Sequence, residues 1–178
     1  MSAELLREID RLVAYDERQR MVPRDREQLV AVVESVRAQA PVDHATLRAF
    51  GVGLLVLGEY GEAIHHLHRA LDLADSVRRR IAASINLADA HRYSGDAVTA
   101  ERLCREALAL ARQEAPEMKG FALQHLGKTL AELGRVREAR QTLEEALALR
   151  VSEGDPELVA RSRAALRLLD TPGPRMGR

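Results

Sequence analysis

LRAFGVGLLVLGEYGEAIHHLHRALDL, residues 47–73, returns as SINLADAHRYSGDAVTAERLCREALAL at 84–110 and as LQHLGKTLAELGRVREARQTLEEALAL at 123–149. The offsets are 37 and 39 residues, and within each copy the steps are identical. Leu47, Phe50, Gly51 and Leu54 map onto Ser84, Leu87, Ala88 and His91, then onto Leu123, Leu126, Gly127 and Leu130. Steps of three and four put these positions on one helical face. A glycine follows in every copy (Gly58, Gly95, Gly134), and a second run repeats the period: Ala63, Leu67, Ala70; Ala100, Cys104, Ala107; Ala139, Leu143, Ala146. Each copy therefore reads as two antiparallel helices joined by a tight glycine turn. The small residues Gly51, Ala88 and Gly127 are expected where the helices approach closely. One such hairpin cannot bury its apolar face alone, so the copies must stack.

Composition agrees with an all-α chain. Ala, Leu, Glu, Lys and Arg make up more than half of the 178 residues, and only 3% are aromatic. That bias belongs to long helices rather than to a sandwich or barrel. Twenty-seven basic and 27 acidic side chains cancel, which argues against a general nucleic-acid partner. The longest uncharged run, Ala49 to Gly58, has ten residues and is too short to span a bilayer. MSAELLREID at the start lacks the basic and apolar pattern of a secretory leader, so a cytoplasmic location with no membrane partner is expected. A single cysteine, Cys104, excludes an internal disulfide and zinc sites built on several thiolates.

The pattern resembles the tetratricopeptide repeat (TPR) family. Phe50-Gly51, Leu87-Ala88 and Leu126-Gly127 correspond to that family's large–small pair on the first helix, and the three Ala–large–Ala runs to its second-helix signature. No Trp opens the first helix, and the usual period of 34 is exceeded, as in the longer repeats of kinesin light chains. Extra helix at 74–80 and 112–118 is expected to take up the difference. The resemblance implies a right-handed αα-hairpin solenoid, the TPR superhelix, with repeats at 43–77, 80–114 and 119–153. A helix pair at 1–40, open to reading as a degenerate repeat, precedes them, with helix expected over 2–20. Asp155-Pro156 starts a capping helix at 155–170, and 171–178 reads as a disordered tail.

Candidate chemistry is sparse. Gly127-Lys128-Thr129 mimics the end of a phosphate loop, but Ala122 stands where its leading glycine is needed and the segment is helical. His65, His66 and His68 are expected on a solvated face rather than in a metal site. Cys104 aligns with Leu67 and Leu143 and reads as core. Arg78, Arg79 and Arg80 lie beside Asp72 and Asp75 and read as a solvated face. No catalytic constellation, metal site or cofactor site is found.

What remains is the concave groove that the family builds from its first helices. The resemblance places Arg48, Val52, Asn86, Asp89, Arg92, Tyr93, Gln124, His125 and Lys128 there as a peptide-binding surface. Arg48 and Asn86 match two positions of the family's carboxylate clamp, while Val52, Phe121 and His125 occupy the others. Val52, Leu55 and Val56 are apolar, so either the N-terminal helices cover them or a partner side chain does. The expected function is non-catalytic binding of a peptide or protein segment, as an adaptor or scaffold. The alternative is a self-assembling structural protein whose groove is filled by its own helices or by a second copy. Homo-oligomerisation is left open.

Overall fold

A computed structural model describes residues 2–170; the tail read at 171–178 lies outside the described residues. The chain runs α1 (Ser2–Arg11), β1 (Val13–Tyr15), β2 (Met21–Pro23), α2 (Arg26–Ala38), α3 (His44–Leu57), α4 (Tyr60–Asp72), α5 (Val77–Tyr93), α6 (Ala97–Glu114), a 3-10 turn (Pro116–Met118), α7 (Lys119–Glu132), α8 (Val136–Glu153) and α9 (Pro156–Leu168). From α3 onward each helix packs on the next, and α1 and α2 both pack on α3. The result is an αα-hairpin solenoid with a small ribbon near its N-terminus.

Polar caps and glycines set the helix ends. Asp43, Ser76, Asp96 and Asp155 accept backbone N–H groups at the starts of α3, α5, α6 and α9, satisfying donors that the first helical turn leaves open. Gly58, Gly95 and Gly134 take left-handed φ values of 88°, 98° and 74°, the conformation that lets the chain reverse within a few residues. The longer repeat spacing is not absorbed by the expected helix at 74–80. α4 ends at Asp72, and the surplus goes into the loop before α5 and that helix's first turn. At 112–118, α6 runs on to Glu114 and a 3-10 turn takes up the rest.

The small positions are where the hairpins close. A Cβ on Gly51 would lie 2.5 Å from Leu67 Cγ, and one on Gly127 would lie 2.5 Å from Leu143 Cγ. The middle repeat carries Ala88 and Cys104 at the same positions, and both are buried. The methyl added on the first helix is matched by a smaller residue on the second, which keeps the local volume nearly constant. Cys104 is therefore core. Burial pushes its thiol up to about 12, and its Sγ lies 3.9 Å from Thr129 Oγ1. Thr129 and Gly127 sit inside α7, so the residues that mimic a phosphate loop form no loop.

The N-terminal segment departs from the expected helix over 2–20. α1 stops at Arg11, and the chain folds back as an antiparallel ribbon pairing Val13 with Pro23, Ala14 with Val22 and Tyr15 with Met21. Asp16 organises its turn by accepting the N–H groups of Arg18 and Arg20, each at 2.8 Å. Leu12 and Val13 continue the apolar spacing of α1, which is why the sequence reads as uninterrupted helix there. Three-residue strands are too short to show alternation. His66 also differs from its expected place in solvent: it is half-buried, its ring edge-on to Phe50 with centroids 4.7 Å apart. Among the described residues no His, Cys, Asp and Glu cluster could hold a metal, and no helix is long and apolar enough to cross a membrane.

The volume match between repeats gives a direct test. Gly127→Ala should destabilise the fold by about 1–3 kcal/mol through crowding of Leu143. Adding Leu143→Cys, which recreates the Ala88–Cys104 pairing, should return part of that loss in a urea-unfolding double-mutant cycle. Strictly additive effects would show that the two side chains do not share the space.

Candidate functional site

The nine predicted groove residues come together along α3, α5 and α7, but most of them are covered. α1 and α2 pack on α3, and Val52, Leu55 and Val56 are buried. The ribbon covers the C-terminal ends of α5 and α7. Met21 N–H donates to Tyr93 Oη at 2.6 Å, and Arg20 pairs with Glu132 at 3.0 Å. From the other side α9 reaches in: Ser162 Oγ donates to Gln124 Oε1 at 2.7 Å, and Arg161 Nη1 donates to Tyr15 Oη at 3.0 Å. Arg161 also lies over the Tyr15 ring, 4.5 Å from its centroid.

Beneath this cover is a cluster of buried charges. Asp89 and Arg92, one turn apart on α5, are each 1% exposed. Arg92 Nη2 donates to Asp89 Oδ1 at 2.8 Å and Nη1 to Glu132 Oε1 at 2.6 Å. Arg92 and Arg20 both lie over the Tyr93 ring, at 4.8 and 5.0 Å, a favourable position for a cation. His125 Nδ1 stands 2.9 Å from Asp89 Oδ2. Burial alone would raise the Asp89 carboxyl, but His125, Arg92 and Lys128 more than offset it and hold it well below its ordinary range. Burial lowers His125 to about 4 and Lys128 to about 8, against the opposing pull of Asp89. Glu132 completes the assembly together with Arg20, Tyr15, Arg161 and Ser162, and these last four lie outside the first helices of the repeats.

The N-terminal ends of α3, α5 and α7 remain open. A cavity of about 500 Å³ is lined by Arg48, Val52, Asn86, Asp89, Phe121 and His125 on the solenoid side, with Asp10, Tyr15 and Arg161 opposite. Arg48 is half-buried, its Nη1 donating to Asn86 Oδ1 at 3.3 Å. Burial lowers its guanidinium from the ordinary value, with Asp10 the opposing charge. A second cleft shares Arg48 and Phe121 and is also lined by Ala82 and Met118. Arg78 and Arg79 on its rim pair with Glu117 and Asp75.

Comparison with known proteins agrees with this architecture. Residues 79–152 match the family model for the tetratricopeptide repeat. Two solved structures show the nearly identical TPR-like repeats of a Podosopora anserina protein assigned as a kinesin light chain. The first superposes with a TM-score of 0.56 at 21% identity, over 81% of this chain and 75% of that one. The second, a point variant of the same repeats, gives 0.58 at 20% identity, over 82% and 76%. No curated protein matches the sequence. The matched segment covers nearly all of α5 to α8, and the superpositions show the same repeat fold beyond it.

The cluster predicts a pH dependence. His125 titrates near 4 when folded and near 6.5 when unfolded, so as the pH falls from 6.5 toward 4 the unfolded chain takes up the proton first. Stability should be fully retained above pH 6.5 and fall below it, by on the order of 3 kcal/mol across the window. His125→Gln should flatten that part of the curve in denaturant titrations. A slope unchanged by the substitution would show that His125 is not the group responsible. Asp89→Asn should cost more, about 3–5 kcal/mol, because it strips buried cations of their counter-charge.

Proposed function

We propose that this tetratricopeptide-repeat solenoid is a non-catalytic protein- or peptide-binding module, an adaptor or scaffold, that receives a partner segment at the open end of its concave face. The observation that carries this reading is that the 500 Å³ cavity and the outer cleft share Arg48 and Phe121 as lining residues. Three successive first helices contribute to it, as an extended ligand crossing the repeats requires. Asn86 offers a donor and an acceptor to a peptide backbone, Arg48 a cation, and Phe121 an apolar face. The Cys104 thiol is buried, so it is not placed as a nucleophile. The cytoplasmic location expected from the sequence belongs to the same proposal.

The contacts of the ribbon with Tyr93 and Glu132 favour a second reading, in which the chain fills its own groove and acts as a structural element. The two readings separate on one experiment. Peptides selected for binding from a displayed library should lose about tenfold or more in affinity with Asn86→Ala, as a buried backbone partner is left unpaired. Arg48→Glu should weaken acidic ligands in a salt-dependent manner. Arg102→Glu, on the exposed face of α6, should have no effect. Failure to select any ligand, or ligands that respond only to Arg102→Glu, would favour the self-filled reading.

A further inference from the structure

The buried charges leave one cation without a mate. Lys128 is 9% exposed, yet its ammonium makes no hydrogen bond or ion pair among the described residues. Asp89 supplies the strongest opposite charge acting on it, but that carboxylate is already engaged by Arg92 and stands 2.9 Å from His125. Close by, Arg20 Nε is buried without a partner. A buried donor left in this state costs stability unless something else meets it.

Both side chains line a cavity of about 480 Å³ between the ribbon turn, the end of α7, α8 and α9. Arg18, Arg20, Arg92 and Lys128 line it, with Glu132 as the one carboxylate of the lining. Its wall is apolar, formed by Val136, Leu143, Ala165, Leu168 and Leu169. An occupant that pairs with these cations and covers the apolar lining must carry negative charge and hydrocarbon together. Glu132, held between Arg92 and Arg20, would repel a dianion, so a single charge fits better than a phosphate.

We propose that this cavity binds an organic carboxylate bearing a short apolar tail, with the carboxylate on Lys128 and Arg20 and the tail against Leu143, Ala165 and Leu169. The ammonium can donate to the carboxylate, giving the kind of charge-assisted bond that is strongest in dry surroundings, with the Arg20 guanidinium as a second positive charge in the lining. The apolar wall favours about four to eight carbons over acetate, since each buried methylene adds to the affinity. Burial depresses the lysine, but its value of about 8 leaves most of it charged at neutral pH. A free short-chain acid and the carboxylate end of a peptide share this chemistry. The site is separate from the Arg48–Asn86 opening, so its test does not depend on the reading proposed above.

Calorimetric titration at pH 7 with octanoate and with 1-octanol tests the assignment on the wild-type protein. Octanoate should bind at least tenfold more tightly than the alcohol, and more tightly than acetate. Lys128→Met, which keeps the length of the side chain and removes a buried charge, should fold and should weaken octanoate tenfold or more while leaving octanol unchanged. An acetylated peptide ending in a free leucine carboxylate, compared with its amide, identifies the source. Binding of the free carboxylate through Lys128 points to a chain end, and binding of octanoate alone points to a small acid. The proposal is overturned if neither carboxylate binds, or if their binding is the same in wild type and Lys128→Met.

Discussion

Arg92 heads the largest side chains that the fold buries completely, and a guanidinium inside a small helical protein constrains everything around it. It cannot shed its charge as a lysine can, so the surroundings must supply carboxylates. Asp89, one turn earlier on α5, takes one side of the fork, and Glu132 at the end of α7 takes the other. Because Glu132 also holds Arg20, the charge that fixes α5 to α7 also fixes the ribbon turn over them. Tyr93 adds its ring beneath both guanidinium groups and its hydroxyl to the Met21 amide. The closed end of the concave face follows from the need to neutralise one buried cation.

The helix packing beneath is built differently, from size rather than charge. Gly51 with Leu67, Ala88 with Cys104, and Gly127 with Leu143 occupy equivalent places, and the sum of each pair changes little. The same packing accounts for Gly53, where a Cβ would lie 2.7 Å from Val33 Cγ2. The glycine admits α2 against α3, and with it the cover over Val52 and its neighbours.

These two layers are not equally legible in the sequence. The hairpins can be read because their signals are local: steps of three and four, a glycine turn, a small residue opposite a large one. The cover over the groove cannot, because its contacts join residues far apart in the chain, Tyr15 to Arg161 and Met21 to Tyr93. The ribbon strands are three residues each and sit next to a helix whose apolar spacing runs into them. One signal in the repeats does point to a closed interior. Asp89 and Lys128 occupy the same repeat position 39 residues apart, so stacked repeats set an acid beside a base, with Arg92 one turn further along. Such alignment indicates a paired interior more readily than a wet binding face. The groove residues share one side of the first helices, as their spacing requires, whereas their exposure depends on elements outside the repeats.

The solenoid that emerges has a concave face closed by its own ribbon at one end and open at the other. The Met21 amide tests that division most directly. It points away from the ribbon's partner strand and is held by Tyr93 Oη at 2.6 Å. Native-state hydrogen exchange should find it strongly protected in the wild type and much faster in Tyr93→Phe, with the amides of α5 and α7 little changed. Exchange of Met21 in the wild type at the rate of an unstructured chain would contradict the account, because the ribbon would then not close the groove.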